Sequence, residues 1–342
     1  MRMLTIDIGE GTQDILVYDK SLENSYRLTV PSPTHYFANE VRKTKEDLII
    51  YGKQMGGGSF AKAIREHQKK YKVYMTEEAA KTIRNDLDKV RNQGIELISE
   101  AEINRYPGHK MKIGDLEIEK TYELLKNAYI DPTFDVIGVA VQDHGHSKKE
   151  KHDRECRFEM FEEKLKTSRK LESFAYLDHV PEEFSRMHSV LESVKENYDG
   201  PVILMDTGPA AALGIKEDER AKGSIIAMNI GNLHTIAFSL RDDEICGMFE
   251  HHTALVDETK LWNLELKLCR AELGFKEVYE DGGHGAISIE KNIPEITLIT
   301  GPNRQKLKGL VEKSTMYRYA LGEDHMFAGC IGLVKATQYL LK

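Results

Sequence analysis

The stretch TIDIGEGTQDILVYD, Thr5–Asp19, consists of two apolar runs separated by a short polar loop that contains two glycines. This pattern predicts a β-hairpin, because small loop residues allow a tight turn between two strands. Asp7 interrupts the first run, although burying an unpaired carboxylate costs several kcal/mol. Either this side chain lies at an exposed end of the strand, or it faces a positively charged partner.

A second stretch, IIAMNIGNLHTIAFSL (Ile225–Leu240), repeats the same design. Gly9 of the first loop and Gly231 of the second are 222 residues apart, and the two loops contain Thr12 and Thr235. Two hairpins of one design indicate a duplicated domain. Backbone N–H groups in such loops can converge on a phosphate, although ordinary hairpins use loop glycines simply to reach positive φ.

The composition excludes several classes of protein. A chain of 342 residues predicts two domains. The net charge of −8 argues against nucleic acid or an anionic membrane as the main partner. The apolar runs are shorter than the ~20 residues that a membrane span needs, and the N-terminal residues lack a signal-peptide pattern. We therefore expect a cytoplasmic protein.

Apolar runs alternate with amphipathic segments, which predicts an α/β protein with mixed sheets. The predicted strands are residues 3–8, 14–18, 27–30, 48–51, 136–141, 201–205, 224–229, 235–240 and 296–300. The predicted helices are residues 77–93, 117–128, 182–197, 258–273 and 327–341. Residues 148–170 are densely charged and lack a clear apolar stripe, which indicates a solvated helix or a flexible insertion.

Three further stretches accompany the two hairpins. They are DTGPAAALGI (206–215), ITLITGPNRQKLKG (296–309) and HMFAGCIGLVKATQYLL (325–341). The first and the last predict helices rich in small residues, and the middle one predicts a strand, a glycine turn and a helix. In this order the five segments resemble the ASKHA superfamily, which includes sugar and acetate kinases, heat-shock ATPases and actin.

This resemblance implies two ribonuclease H-like domains, the actin-like ATPase fold, with mixed sheets and an interdomain cleft. It implies a first domain over residues 1–205, with an insertion at about 148–170, and a second over 206–342, whose C-terminal helix 327–341 crosses back. The implied ligands are ATP and Mg²⁺, with Asp7 as the metal residue, usually through water. The residues that it implies around the nucleotide are Asp7, Gly9, Gly11, Thr12, Gln13, Asn229, Gly231, Asn232, His234, Thr235, Gly301, Pro302 and Asn303.

Asn229 departs from the pattern of the superfamily, which has an aspartate at this place in the second loop. The amide keeps hydrogen-bonding capacity but lacks the negative charge, so a second magnesium contact would be weaker. His234 in the same loop is also unexpected. Its side chain could contact a phosphate as a cation, or it could simply cap the turn.

The catalytic candidates are Gln142, Asp143, His144 and Asp206. The turn Gln142–Gly145 resembles one that borders the substrate site in some ASKHA sugar kinases. Asp143 or Asp206 could act as general base if it lies within reach of a substrate hydroxyl; the alternative is a helix cap or a solvated loop acid.

A glycine turn precedes one predicted helix, at Gly56, Gly57, Gly58 and Ser59. Free N–H groups at the start of a helix can hold a substrate phosphate or carboxylate. Such turns are also common where no ligand binds.

Six histidines are concentrated near these loops: His144, His146, His234, His251, His252 and His284. Histidine together with carboxylate suits zinc, iron or manganese, and also proton transfer. His251 and His252 are adjacent and would point to opposite faces of a strand, so at most one should reach a given site. Scattered structural histidines are the alternative to a transition-metal centre.

The stretches MGGGSFAKAIREH, AVQDHG, DTGPAAALG, NIGNLHTIAF and FEHHT resemble more closely an archaeal family whose members often carry the name "putative pyruvate formate-lyase activating enzyme". A radical activator needs a close-set cysteine triad to hold its iron–sulfur cluster. The four cysteines of this chain, Cys156, Cys246, Cys269 and Cys330, are far apart, which excludes such a triad and a CxxC zinc knuckle.

We therefore expect an ATP- and Mg²⁺-dependent phosphotransferase that acts on a small metabolite bearing a hydroxyl or carboxyl group. Two alternatives stay open, because one fold hosts many functions. One is an ATP-switched ATPase that binds a partner protein, and the other is a metal-dependent hydrolase or activator that no longer uses ATP. The sequence also leaves a homodimer open.

Overall fold

The computed structural model describes residues 1–146 and 153–342, and the strands in this part of the chain form three β-sheets. The strands are β1 (Arg2–Ile8), β2 (Thr12–Asp19), β3 (Ser21–Pro31), β4 (Leu48–Gly52), β5 (Val73–Thr76), β6 (Glu96–Ile98), β7 (His109–Ile113), β8 (Val136–Val141), β9 (Ala175–Leu177), β10 (Val202–Met205), β11 (Ser224–Ile230), β12 (His234–Arg241), β13 (Glu244–His252), β14 (Gly285–Ser288), β15 (Ile296–Thr300) and β16 (Tyr317–Tyr319). The α-helices are α1 (Pro33–Lys43), α2 (Gly58–His67), α3 (Glu77–Ala80), α4 (Leu87–Asn92), α5 (Ile118–Asn127), α6 (Asp153–Thr167), α7 (Ser185–Lys195), α8 (Thr207–Ile215), α9 (Glu258–Cys269), α10 (Phe275–Glu280), α11 (Lys308–Lys313) and α12 (Ala328–Leu340).

Two of the sheets share a five-stranded core of the same topology, to which the first adds the antiparallel edge strand β9 and the second the antiparallel edge strand β14. The first has the order β3-β2-β1-β8-β10-β9 and the second the order β14-β13-β12-β11-β15-β16. In each sheet an antiparallel hairpin, β1–β2 or β11–β12, is extended by a third antiparallel strand, and parallel strands follow on the other side of the first strand. This is the ribonuclease H-like arrangement, present twice. The duplication predicted from the two hairpins and the actin-like ATPase fold implied by the resemblance of the five segments are thus confirmed.

The strands at the centre of the first sheet are apolar because both faces of the sheet are covered. Leu4, Ile6 and Ile8 of β1 pack with residues of α5 and α7 on one face. Met3 of the same strand packs on the other face, in a cluster that includes Cys330 of α12. This alternation follows from the two-residue period of a strand.

Helices α8 and α12 connect the two halves of the molecule. Helix α8 packs on β11, β12 and β15 of the second sheet, whereas α12 packs on β1, β2 and β8 of the first. The two helices cross with their backbones in contact, because a Cβ atom on Gly332 would lie 1.9 Å from the carbonyl oxygen of Ala210, and one on Gly214 would lie 1.9 Å from that of Ala328. The small residues noted in the sequence permit this close approach.

A third, parallel sheet with the order β6-β5-β4-β7 is inserted between β3 and α5, together with helices α1 to α4. The sequence analysis identified its strand at residues 48–51 but did not predict the sheet. The prediction of a single helix over residues 77–93 is wrong. It is divided into α3 and α4, because the Asp86 side chain accepts hydrogen bonds from the N–H groups of Asp88 and Lys89 and starts a new helix there.

The expectation of a solvated helix or flexible insertion at residues 148–170 is wrong for the described residues, which include the partly buried helix α6. Residues 148–152 lie outside the described part of the chain. Phe158, Phe161 and Leu165 recur at three- and four-residue spacing and are buried, as are Cys156 and Arg157. The charged residues between them conceal this narrow apolar stripe in the sequence. Among the described residues, no helix combines the length and apolar character that a bilayer span requires.

Gly332→Ala should lower the free energy of unfolding by about 1–3 kcal/mol, because the added methyl group forces two packed backbones apart. Gly274→Ala is the matched control, since a Cβ atom there meets no other atom within 4 Å. Urea denaturation of both variants measures the effect. Equal stabilities would contradict the close helix crossing.

Candidate functional site

A cavity of about 650 Å³ lies where the two duplicated sheets and the inserted sheet meet. Both hairpin loops, the glycine turn before α2 and the turn after β8 contribute to its lining. The residues predicted from the sequence that line it are Gly9, Gly56, Gly57, Gly58, Gln142, Asp143, His144, Asn229, Gly231, Asn232 and His234. The structure therefore brings together residues that are up to 225 positions apart in the chain.

The two hairpin loops are closed by the same hydrogen bond. The N–H group of Gly9 donates to the carbonyl oxygen of Thr12 at 2.9 Å, and that of Gly231 donates to the carbonyl oxygen of His234 at 2.9 Å. The loops also contact each other, since a Cβ atom on Gly11 would lie 2.6 Å from Nδ2 of Asn232. The repeated sequence thus forms two equivalent turns that face each other.

Asp7 lies on β1 below the lining of the cavity, with its side chain only 9% exposed. Of the two alternatives for this acid, the burial excludes an exposed strand end. Among the described residues, its Oδ1 atom has no hydrogen-bond partner. Burial, and then repulsion from the cross-strand neighbour Asp14, raise the pKa of Asp7 well above its ordinary value. A cation would supply the missing partner.

Several predicted nucleotide residues support the loops instead of lining the cavity. The Thr12 hydroxyl donates to the Asp14 carboxylate at 3.1 Å, and the fully buried Thr235 hydroxyl pairs with that of Thr253 at 3.0 Å. Nδ2 of Asn303 donates to the carbonyl oxygen of Gly231 at 3.1 Å. The predicted residues outside the lining are Asp7, Gly11, Thr12, Gln13, Thr235, Gly301, Pro302, Asn303, Ser59 and Asp206.

The glycine turn before α2 binds a carboxylate of the protein itself. Oε1 of Glu10, in the first hairpin loop, accepts a hydrogen bond from the N–H of Ser59 at 2.7 Å. The positive φ of 23° at Gly58 favours glycine, and a Cβ atom there would lie 1.9 Å from Oε2 of the same carboxylate. The sequence predicts a substrate at this turn and gives no sign of Glu10, because nothing in the local sequence relates residues 49 positions apart.

The two candidate bases are both engaged by backbone donors. The carboxylate of Asp143 accepts from the N–H groups of Gly145 at 2.9 Å and Met187 at 3.0 Å. Oδ1 of Asp206 caps α8 by accepting from the N–H of Gly208 at 3.0 Å. Burial raises the pKa of both, that of Asp206 to about 6, although Arg157 partly offsets the shift of Asp206.

Arg157 of α6 connects carboxylates from both halves of the molecule and was missed in the sequence. Its side chain and that of Glu250 on β13 are each 1% exposed. Nη2 of Arg157 lies 2.8 Å from Oδ1 of Asp206 and 3.1 Å from Oε2 of Glu250. Gln142 donates from Nε2 to Oε1 of Glu250 at 2.6 Å, and its Oε1 lies 2.5 Å from Nδ1 of His234.

Four of the six candidate histidines come together beside this network. His144, His234 and His284 each offer a ring nitrogen, and these three atoms lie within 4.8 Å of one another. The ring of His252 packs against His234 and His284, with centroids 5.0 and 4.8 Å apart. Burial lowers the pKa of His234 well below its ordinary value, and the neighbouring histidines lower it further while Glu250 opposes the shift.

The other two candidate histidines are not part of this group. His251 points away from it, as expected for the neighbour of His252 on a strand, and its Nε2 lies 3.2 Å from the Asp281 carboxylate. His146 is bound through its backbone N–H, which donates to the carbonyl oxygen of Glu183 at 2.8 Å.

Positive charges from separate segments face the cavity, and the sequence analysis did not identify them. Arg65, Lys81 and Arg84 of the inserted unit line it, as does Arg186. Arg186 forms a two-pronged ion pair with Asp115, at 2.6 and 2.9 Å, and donates to the carbonyl oxygen of Gln142 at 2.7 Å. This distribution favours anionic ligands in the cavity.

Arg157→Met should lower the free energy of unfolding by about 3–5 kcal/mol, because two buried carboxylates lose their common counter-ion. Without the guanidinium the pKa of Asp206 rises beyond about 6. A carboxyl whose pKa is raised in the folded state destabilises that state as pH rises, so the deficit should be larger at about pH 8 than at about pH 5. Urea denaturation at both pH values measures it.

The double variant Arg157→Met/Glu250→Gln is the control for this result. Removing one of the two carboxylates should restore part of the lost stability. A deficit that does not change with pH, or that the second substitution deepens, would contradict the assignment of the buried charges.

No curated protein matches the sequence. The solved structures similar to the chain include a ROK hexokinase from Thermus thermophilus, 11% identical, with 100% of this chain and 99% of that chain covered and a TM-score of 0.35. A protein from Bacteroides thetaiotaomicron with an actin-like ATPase fold and unknown function is 6% identical, with 97% and 95% covered and a TM-score of 0.39. Component A of (R)-2-hydroxyglutaryl-CoA dehydratase from Acidaminococcus fermentans is 10% identical, with 100% of each chain covered and a TM-score of 0.37.

One family model matches residues 55–306, and its description is "Putative pyruvate format-lyase activating enzyme (DUF1786)". The match includes the glycine turn, the turn after β8, helix α8 and the second hairpin. Because it covers well over half of the 342 residues, the chain belongs to the DUF1786 family.

Proposed function

We propose that the protein is an ATP- and Mg²⁺-dependent phosphotransferase that acts on a small hydroxyl- or carboxyl-bearing metabolite in the cavity. The observation that carries this proposal is the pair of equivalent hairpin loops, closed by the same hydrogen bond and facing each other. Loops of this kind present several backbone N–H groups to one point, which suits a polyphosphate.

Asp7 fits the role of the magnesium residue. Its buried Oδ1 lacks a hydrogen-bond partner among the described residues, and Mg²⁺ usually binds through one or two carboxylates and several waters. Bound Mg²⁺ would neutralise phosphate charge. Asn229 occupies the place equivalent to Asp7 in the second hairpin, so we propose a site with a single acid.

Asp206 is the better candidate for the general base. Its pKa of about 6 is close to neutrality, and the residues that follow it, Thr207 and Gly208, line the cavity. Both carboxylate oxygens of each acid accept hydrogen bonds from backbone N–H groups, so the pKa near neutrality is what favours Asp206, and we assign Asp143 to positioning. Arg65, Lys81 and Arg84 would attract the acceptor and the phosphates. Most of the catalysis would then come from positioning and charge neutralisation.

Radical activation, which the description of the family names, is not part of this proposal. An activator of that kind needs cysteines that can hold an iron–sulfur cluster. In the described residues, the metal-ligating side chains that come together are three histidines and include no cysteine. These histidines favour a second candidate, a metal-dependent hydrolase.

ATP with Mg²⁺ should raise the melting temperature, because a ligand that binds only the folded state stabilises it by mass action. Asp7→Asn should remove most of this shift without lowering the melting temperature of the free protein, since the substitution removes an uncompensated buried charge. Asp19→Asn, at the other end of the same hairpin, should keep the shift. If ATP, ADP and GTP at millimolar concentration give no shift with the unmodified protein, nucleotide binding is refuted.

ADP release in the presence of sugars, polyols and small acids should reveal one compound that accelerates release and gains a phosphate. Asp206→Asn should lower turnover by about 10²–10⁴-fold and leave nucleotide affinity nearly unchanged, because it removes the base and not the phosphate loops. Nucleotide affinity, measured by titration calorimetry, is the control. Uniformly slow ATP hydrolysis that accelerates only with a protein partner would refute the kinase and favour an ATP-switched ATPase.

A further inference from the structure

The histidines beside the cavity have a spatial arrangement that the phosphotransferase does not use. His144 follows β8, His234 begins β12 and His284 precedes β14, so three separate segments converge here. Their ring centroids are 4.4 Å apart for His234 and His284, 5.1 Å for His144 and His284, and 5.9 Å for His144 and His234. Three imidazoles this close are the donor set of a typical three-histidine metal site.

Neighbouring side chains orient two of the three rings. Nδ1 of His234 lies 2.5 Å from Oε1 of Gln142, and Nδ1 of His284 lies 3.3 Å from Oε1 of Glu250. Gln142 is itself fixed, because its Nε2 donates to the same Glu250 oxygen at 2.6 Å. A histidine that ligates a metal usually directs its other ring nitrogen to a carboxylate or another acceptor in this way. The metal would then bind through Nε2 of His234 and of His284.

The local charges also favour a cation. Asp206 and Glu250 carry two negative charges and Arg157 one positive charge, so the buried group has a formal charge of −1 when both acids are ionised. A divalent cation beside Glu250 would offset this charge. His144 and His234 line the cavity, so an ion held by the three rings would be accessible from it.

We propose that His144, His234 and His284 form a binding site for one divalent transition-metal ion of the zinc class, with Glu250 and Gln142 as the side chains that orient the ligands. Imidazole donors select zinc, cobalt, nickel or iron over magnesium and calcium. The fourth coordination position faces the cavity and is open to water or a ligand. This site is separate from the magnesium residue Asp7 and does not depend on ATP.

Binding requires a small inward movement of the rings. Metal–nitrogen bonds of about 2.0–2.1 Å place tetrahedral ligand atoms roughly 3.4 Å apart. The three nitrogens lie within 4.8 Å of one another, so each pair needs to approach by at most about 1.4 Å. His144 is in a loop and only half buried, which makes it the ring that can move most easily.

The experiment uses the full chain, stripped of metal with a chelator and titrated with Zn²⁺ and with Co²⁺ in the absence of nucleotide. We expect one ion per chain and the intense visible bands of tetrahedral Co²⁺. His144→Gln should weaken Co²⁺ binding by more than about 100-fold, because it removes a ligand. Glu250→Gln should weaken it by about 10–100-fold, the usual effect of losing an orienting carboxylate.

Two control variants test whether the ion binds at these three rings and not elsewhere in the protein. His251 is a buried neighbour of His252 on the same strand, but its side chain points to Asp281. His251→Gln should therefore leave Co²⁺ affinity unchanged. Asp7→Asn should also leave it unchanged, which distinguishes this site from the magnesium residue. Circular dichroism verifies that each variant is folded.

The proposal is overturned if folded, metal-free protein binds Co²⁺ no tighter than the His144→Gln variant does. It is also overturned if His251→Gln weakens binding as much as His144→Gln. Failure of the ATP melting-temperature test would leave this result intact, since the titration contains no nucleotide.

Discussion

The crossing of α8 and α12 sets the positions of the polar groups around the cavity. Because glycines lie at the points of closest approach, the two backbones touch at Gly214 and Gly332. Helix α8 begins at the Asp206 cap, and the first turn of α12 lies against β1, where a Cβ atom on Gly329 would lie 2.1 Å from Oδ2 of Asp7. A buried acid therefore lies beside the first turn of each connecting helix, Asp206 at α8 and Asp7 at α12.

The buried charges link the features of the site to one another. Gln142 contacts both His234 and Glu250, and its carbonyl oxygen accepts a hydrogen bond from Arg186, which also holds Asp115 beside the glycine turn. A displacement of Gln142 would therefore disturb the histidines, the Arg157 ion pairs and the contact with the inserted sheet at the same time. The second hairpin loop and the histidine group thus belong to one hydrogen-bonded structure, although their proposed ligands differ.

The fold could be predicted from the sequence because its signals are local. Each hairpin shows its strands and its glycine loop within about sixteen residues, and the repeat at a spacing of 222 reveals the duplication. The site was predictable where residues lie on those loops, in the glycine turn before α2 or in the turn after β8. Arg157 and Glu250 are 93 residues apart and pair only after folding, and an arginine inside a charged helix resembles any solvated cation. The parallel inserted sheet has short strands whose partners are likewise distant in the chain.

The carboxylate of Glu10 occupies the glycine turn. Because Glu10 belongs to the first hairpin loop, this loop competes with any anion from the cavity for the same N–H group. An anion that reached the N–H of Ser59 would have to displace a group whose effective concentration is on the order of millimolar or higher. Weak monoanions would lose this competition, whereas a multiply charged group, stabilised also by Arg65 and Arg84, could win it. Displacement would at the same time break the hydrogen bond between the hairpin loop and α2, although Ser32 would still join this loop to the start of α1. Selectivity for charge and a loosening of the loop are therefore two results of one exchange.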